Sequence, residues 1–213
     1  MTKTTLQTLR AHWENLREGR QLPLRSEIDP RAMPDVLDNL FILEKLNPTD
    51  IRVRIAGLTL CEMMGMEVRG QSPETFFSDN ARGRFAAVIT DVMERPTIAQ
   101  LGLDTTDKMG NEATAEMILL PLRSDFGDVS RVIGCVTAPD KGFAAPVRFH
   151  VRSVDMEPVF QDKTDNPAST FGFAEPKVGF IMDGTSAFRA IRGSGTKRQN
   201  RTGRAPNYLK LVD

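Results

Sequence analysis

The sequence predicts an α+β domain in which short helices and one long helix cover one face of a five-stranded antiparallel sheet. Two segments with strand character come first, and three more follow before residue 140. The longest helical pattern lies between these two groups of strands. Helices packed on one side of an antiparallel sheet accommodate this order of elements, and a separate amphipathic helix precedes them.

The five predicted strands are recognised by the alternation of apolar and polar residues or by a run of apolar residues. In the second strand, Ile51, Val53 and Ile55 alternate with arginines, so one face is expected to be buried. The fifth strand is almost entirely apolar, as expected of a strand inside a sheet. The predicted strands span residues 40–46, 51–56, 97–103, 112–122 and 131–138.

The predicted helices begin at cap and proline signals. Asp29-Pro30 predicts one short helix that reaches about Asn39. Glycines bound a second short helix within residues 57–65, and Ser72-Pro73 opens a third. The long helix spans residues 80–94, and its core stripe consists of Phe85, Val88, Ile89 and Val92.

The N-terminal segment, residues 1–24, is predicted to form an amphipathic helix that ends near Gly19. Its narrow apolar stripe recurs at helical spacing and consists of Leu6, Leu9, Trp13 and Leu16. Such a stripe must pack on another surface, either on a second copy of the chain or on the sheet of the same domain. We expect these four residues to form a dimer interface, with packing on the chain's own sheet as the alternative.

Length and composition limit the size of the core, the location of the protein and the kinds of site that it can contain. A chain of 213 residues with 40% apolar content can bury one substantial core within residues 25–140. No apolar run approaches the ~18 residues of a membrane span, and no signal peptide opens the sequence, so a cytoplasmic location is expected. Cys61 and Cys135 lie far apart and have no histidine at zinc-ligand spacing, which predicts neither a disulfide framework nor a metal site.

Charge is distributed unevenly along the chain. Residues 189–213 carry seven basic residues and one acidic residue, whereas residues 1–188 have a net charge of −6. The basic segment is predicted to be a disordered tail, and residues 141–188 an extension of uncertain structure. Tyr208 is the only aromatic residue of the tail, so no stacking platform for nucleic acid is present.

The stretch RSEIDPRAMPDVLDNLFILE (25–44) and the following RVRIAGLTL (52–60) resemble a PAS-domain family of alphaproteobacteria, formerly catalogued as a domain of unknown function. The resemblance covers residues 10–140. Leu58 departs from the family, in which threonine commonly follows the glycine at position 57. The resemblance rests on Arg25, Asp29-Pro30, Pro34, Leu37, Glu44, Arg54, Gly57, Pro96, the LLPL run (119–122), Arg131 and Gly134.

The resemblance implies a PAS-like sheet and a role in signalling by ligand sensing, self-association or docking to another protein. Any ligand cavity would lie between the sheet and the helices. The candidates for its lining are Phe41, Phe76, Phe85, Ile89, Leu119 and Cys135, all of which are equally good core residues. A packed core is therefore expected, because residue identity alone does not establish a cavity.

The sequence predicts that the chain binds neither haem nor flavin and that it is not an enzyme. Any other cofactor is unknown. The long helix has no histidine for haem, and Cys61 lies in TLCEMM instead of the Asn-Cys-Arg run of flavin photosensors. Glu112 and Glu116 would lie ~13 Å apart along a strand, which is too far for a hydrolytic pair. No arrangement of serine, histidine and aspartate can be argued, so no catalytic residue is predicted.

These observations predict a bacterial PAS-type signalling module that acts through dimerisation and docking to a signalling protein. Whether a small ligand gates it stays open. The alternative is a regulator that binds nucleic acid or an anionic ligand through the basic tail, although nucleic acid is the less expected partner.

Overall fold

The structure, a computed structural model, describes residues 2–137 and 142–160. Six strands form one sheet with the order β2-β1-β5-β4-β3-β6, and every neighbouring pair is antiparallel. The strands are β1 (Leu40–Asn47), β2 (Asp50–Ala56), β3 (Thr97–Thr106), β4 (Glu112–Arg123), β5 (Val129–Val136) and β6 (Arg148–Pro158).

Three α-helices pack on this sheet, together with short 3₁₀ helices. The α-helices are α1 (Thr2–Arg17), α2 (Leu58–Met64) and α3 (Asp79–Glu94), and the 3₁₀ helices are Arg25–Glu27, Pro30–Ala32, Pro34–Asn39 and Pro73–Phe76. No helix among the described residues is long and apolar enough to cross a membrane.

The two faces of the sheet are buried by different elements. On the inner face, α2, α3 and the 3₁₀ helix Pro73–Phe76 enclose the larger apolar cluster. On the outer face, α1 and the 3₁₀ helices that follow it enclose a second cluster. The predicted α+β class and the antiparallel sheet are confirmed by the helices and by the strand pairing. Within the central strands, alternate residues belong to the two clusters.

The predicted number of five strands is wrong, because a sixth strand completes the sheet. β6 lies in the segment 141–188, which was assigned no regular structure, and it pairs with β3 from Thr97 to Thr106. Its apolar residues Phe149 and Val151, together with Val147 just before the strand, lie in or against the inner cluster. The described core therefore extends beyond residue 140.

The single helix predicted from Asp29 to Asn39 is replaced by two 3₁₀ helices. The Asp29 carboxylate accepts a hydrogen bond from the backbone N–H of Arg31 at 2.9 Å, as the cap signal predicts. Met33 then leaves the helical region, with φ −137° and ψ 53°. It precedes Pro34, whose ring disfavours a helical conformation in the residue before it, so the helix restarts at the proline.

Candidate functional site

Five of the six predicted pocket residues meet on the inner face of the sheet. Phe41 and Leu119 approach from β1 and β4, while Phe85 and Ile89 approach from α3. Phe76 closes the group from the 3₁₀ helix before α3. All five side chains are buried in the same apolar cluster.

Aromatic rings fill much of this interior. The rings of Phe77 and Phe85 stack with centroids 3.9 Å apart and an interplanar angle of 21°. Phe149 from β6 tilts against Phe77 at 5.4 Å. The ring of Phe41 lies directly over Gly134 of β5, where any Cβ atom would overlap it. The space between sheet and helices is thus occupied by the chain's own side chains.

The sixth candidate, Cys135, faces away from the inner cluster, and its assignment to the pocket is wrong. Cys135 lies in the outer cluster with Ile133, because alternate residues of β5 point to opposite faces. Gly134, and not Cys135, lies opposite Leu119 across the sheet. Burial raises the pKa of the Cys135 thiol to about 12, which keeps it protonated and unreactive at neutral pH.

The four predicted interface residues lie on the sheet-facing side of α1. Leu6, Leu9 and Trp13 are at most 2% exposed within the single chain, and Leu16 is partly buried against the same outer cluster. The Trp13 indole Nε1–H donates to the backbone oxygen of Pro121 at 2.9 Å. The stripe thus packs on the chain's own sheet, which is the alternative that the sequence left open.

Several residues that carried the family resemblance have structural roles. Glu44 on β1 forms ion pairs with Arg54 of β2 and with Arg131 of β5, the latter at 2.5 Å. The three side chains thereby join three neighbouring strands. A Cβ atom at Gly57 would overlap the backbone oxygens of Leu37 and Asp38, so this glycine allows α2 to approach the preceding segment closely.

His150 lines a polar cleft that sequence reasoning did not find. The cleft, of about 530 Å³, is lined by Asp104, Thr105, Thr106, Glu112, Ala113, Thr114 and His150. The imidazole Nδ1 lies 3.0 Å from the Ser78 hydroxyl, and Nε2 lies 3.3 Å from the Thr106 hydroxyl. A period-two pattern on β6 would have placed His150 on the outer face, but that strand was not predicted.

The hydroxyl that contacts His150 is shared with a second acceptor. The Ser78 hydroxyl lies 3.0 Å from the imidazole Nδ1 and 2.6 Å from Asn80 Oδ1, so the amide oxygen competes with the imidazole for the hydroxyl proton. A serine nucleophile would instead donate to the imidazole, and a carboxylate would orient the ring. The contact ties the start of α3 to β6.

A buried carboxylate organises the loop beside the cleft. Asp107 accepts hydrogen bonds from the backbone N–H groups of Met109, Asn111 and Ala144 at 2.8–2.9 Å, and from the Asn111 side chain. The Ala144 N–H and the Asn111 amide, as the largest causes, lower the pKa of Asp107 to about 2. Asp107 thereby joins the β3–β4 turn to the segment that leads into β6.

The described residues contain no cluster of three or more histidine, cysteine or carboxylate side chains that could hold a metal ion. Glu112 and Glu116 lie on the outer face of β4, and Glu112 is exposed. One carboxylate oxygen of Glu116, Oε2, is buried and has no hydrogen-bond partner within the described part of the chain.

Solved structures with some similarity to the chain include light-oxygen-voltage (LOV) domains. The blue-light photoreceptor Aureochrome1 LOV in its light state is 14% identical, with a TM-score of 0.38, over 52% of this chain and 88% of that one. A LOV domain solved with a flavin analogue is 17% identical, with a TM-score of 0.41, over 50% of this chain and 81% of that one.

The sequence itself matches one protein family. No curated protein is significantly similar to the chain. The family described as the PAS domain matches residues 1–137, which is more than half of the chain. The match spans α1 to β5 and therefore includes both faces of the sheet. The chain belongs to the PAS domain family.

Proposed function

We propose that the chain is a signalling module that acts by self-association and by docking to another protein, without a small molecule in its interior. Family membership supports the signalling role, since PAS domains are sensory modules. The filled interior carries the ligand-free part of the proposal: Phe77 and Phe85 stack at 3.9 Å in the space where a ligand would lie. A ligand there would have to displace buried aromatic rings, each of which stabilises the fold by ~1.5–3 kcal/mol.

The arrangement of side chains in and beside the polar cleft supports a non-catalytic role. His150 is held between the hydroxyl groups of Ser78 and Thr106, and Asn80 Oδ1 competes with it for the Ser78 proton, so this contact is not the arrangement of an activated serine. Asp107, the carboxylate with the lowered pKa, is committed to backbone and side-chain donors of its own loop. Segment 189–213, on which the alternative of a basic-tail regulator depends, lies outside the described residues.

Native mass spectrometry of the chain purified from a bacterial host tests the proposal. We expect a dimer of the 23.7 kDa chain with no additional mass. A stoichiometric small molecule on the purified protein would contradict the ligand-free interior. A bare monomer at micromolar concentration would contradict self-association.

A cavity variant provides the matched control for the interior. Phe85→Ala removes a fully buried ring and should leave an apolar cavity of the kind that binds benzene. Added benzene is expected to raise the thermal midpoint of the variant and to leave that of the natural chain unchanged. An equal rise in both proteins would show that the natural interior already has room for a ligand.

A further inference from the structure

Three large apolar side chains are exposed on elements that adjoin the end of β2. Leu37, Ile55 and Leu58 have exposed fractions of 36%, 43% and 57%. Leu37 belongs to the 3₁₀ helix Pro34–Asn39, Ile55 lies near the end of β2, and Leu58 is the first residue of α2. Single exposed apolar residues are normal on a protein surface, whereas a group of them on adjoining elements indicates a surface that a partner covers.

Gly57 is the point at which these elements meet. Its backbone N–H donates to the oxygen of Leu40 at 2.7 Å, which fixes the end of β2 beside the start of β1. A Cβ atom at Gly57 would overlap the backbone oxygens of Leu37 and Asp38, so the 3₁₀ helix and the start of α2 are in close contact there. We call the surface around this contact the junction surface, and it consists of Asp35, Leu37, Asp38, Ile55, Leu58 and Glu62.

The packing of α2 determines which of its side chains reach the junction surface. Leu60, Met63 and Met64 are buried in the inner cluster and hold one side of the helix against the sheet. Leu58 and Glu62 are four residues apart, so they are neighbours on the opposite side of the helix. Both are exposed. The apolar side chain and the carboxylate are therefore presented together by a helix whose orientation the core fixes.

The charge of the junction surface is negative. Asp35, Asp38 and Glu62 are exposed and form no ion pair within the described part of the chain. Neither the 3₁₀ helix nor α2 contains a lysine or an arginine. Arg54, the neighbour of Ile55 on β2, is already paired with Glu44. The exposed apolar side chains are thus bordered by carboxylates whose charge no cation of these two helices neutralises.

We propose that the junction surface docks a protein partner through a segment in which apolar side chains are flanked by lysine or arginine. Such a segment would cover the exposed leucines and place its cations beside the three carboxylates, so it complements both features of the surface. A second copy of this chain fits less well, because a two-fold symmetric contact would bring the same carboxylates together. The inference rests on the docking part of the proposed function and names the chemistry of the partner.

Selection from a phage library of random dodecamer peptides against the full chain tests this partner chemistry. We expect the enriched peptides to combine leucine or an aromatic residue with lysine or arginine. Fluorescence anisotropy of a labelled, enriched peptide then gives its Kd. Leu58→Ser should raise that Kd about tenfold, since it removes a central apolar contact. Leu46→Ser is the matched control, because Leu46 is 49% exposed and lies ~20 Å from Leu40 along β1, and it should leave the Kd unchanged.

A charge variant and a change of salt test the electrostatic part of the docking. Glu62→Lys should raise the Kd of the same peptide roughly five- to tenfold, because a carboxylate beside Leu58 is replaced by a cation. Glu112→Lys makes the same change of charge at an exposed position of β4 and should alter the Kd less than about twofold. Binding to the natural chain should weaken at 0.5 M NaCl, where the Debye length is about 4 Å.

Three results would overturn the inference. Enriched peptides that bind Leu58→Ser as tightly as the natural chain, or that lack basic residues, would place docking elsewhere and leave the proposed function intact. A selection that enriches no peptide would count against the docking function itself. A natural dimer that becomes monomeric in size-exclusion chromatography on Leu58→Ser substitution would make a second copy the occupant of the junction surface.

Discussion

Gly134 illustrates how one residue sets the packing of the interior. It lies opposite Phe41 in the pairing of β1 with β5, and the phenylalanine ring rests on its backbone. A Cβ atom at this position would also lie 2.9 Å from the backbone oxygen of Ile118. The missing side chain of Gly134 is therefore part of how Phe41 fills the core.

Gly134→Ala should destabilise the protein, because the added methyl group overlaps a buried ring and a backbone oxygen. Overpacking of this kind costs ~1–3 kcal/mol in free energy of unfolding, measurable by urea denaturation. Gly83→Ala is the matched control, since Gly83 lies in α3 with no atom near its Cβ position. In the control, the free energy of unfolding should rise by ~0.5–1 kcal/mol, because alanine has a higher helix propensity than glycine. Equal stability of the two variants would contradict this account of Phe41.

Asp107 should make folding stability depend on pH in the acid range. Its folded pKa is lowered from 3.8 to about 2, so its ionised form stabilises the fold above pH 4 and the contribution is lost as the pH falls toward 2. Asp107→Asn replaces an accepting oxygen by a donor facing the N–H of Ala144 or the Asn111 amide. The variant should therefore be less stable than the natural chain at pH 6.

Denaturation midpoints at pH 6 and pH 2.5 provide the measurement. The difference between the natural chain and Asp107→Asn should shrink at the lower pH, where the natural carboxyl begins to protonate. A difference that stays constant between the two values would show that the carboxylate charge does not stabilise the loop.

At the scale of elements, α1 is a structural part of the domain. Trp13 is fully buried and its indole N–H has a backbone partner on β4. Removal of the helix would expose the outer cluster, which includes Leu120 and Ile133. Self-association through the same stripe would require α1 to leave its own sheet.

Trp13→Ala is expected to lower the free energy of unfolding by ~3–5 kcal/mol, because it removes a buried ring and leaves the Pro121 oxygen without its donor. Asn15→Ala, on the exposed side of α1, should change it by less than ~0.5 kcal/mol. Chemical denaturation measures the role of the stripe in the stability of the single chain, and size-exclusion chromatography measures its role in self-association. A Trp13→Ala protein that becomes monomeric with unchanged stability would restore the stripe as an interface.

β6 could not be predicted from periodicity because its pattern changes phase. Phe149 and Val151 face the inner cluster, and so do Val154 and Met156. Pairing with β3 shifts in register between Gly102 and Leu103, which leaves Arg152 as an extra residue. The apolar spacing of two is thus interrupted by a spacing of three. The five other strands keep a readable pattern, and they were located within a few residues.

The prediction of the interior was correct for apolar identity but not for the face on which each residue lies. Apolar identity placed Phe41, Phe76, Phe85, Ile89 and Leu119 correctly in one cluster. It could not give the face of Cys135, since both faces of β5 are apolar and buried. The polar cleft at His150 was missed because it depends on contacts between residues distant in sequence, such as Ser78.

At the scale of the whole molecule, the PAS match ends before the fold does. Residues 1–137 lack β6, which covers the edge of β3 and adds Phe149 to the aromatic interior. Loss of a buried phenylalanine alone costs ~3–5 kcal/mol, a large part of the ~5–15 kcal/mol that stabilises a domain. The core therefore depends on residues beyond the family match.

A chain that ends at residue 137 should show no cooperative thermal unfolding, because β3 loses its pairing with β6 from Thr97 to Thr106 and the interior loses Phe149. A chain that ends at residue 188 serves as the control and should melt within a few degrees of the full chain. Circular dichroism during heating provides the measurement. Cooperative melting of the shorter chain at the same temperature would show that β6 is dispensable.

The packing of α1 also has a consequence for synthesis on the ribosome. Trp13 finds its partner Pro121 only 108 residues later in the chain. At ~5–20 residues per second, translation of that interval takes roughly 5–20 s. During this time α1 emerges from the ribosomal exit tunnel, and the strand that covers its apolar stripe has not yet been made. Nascent chains of this protein should accordingly engage chaperones through α1 until β4, which supplies Pro121, has been synthesised.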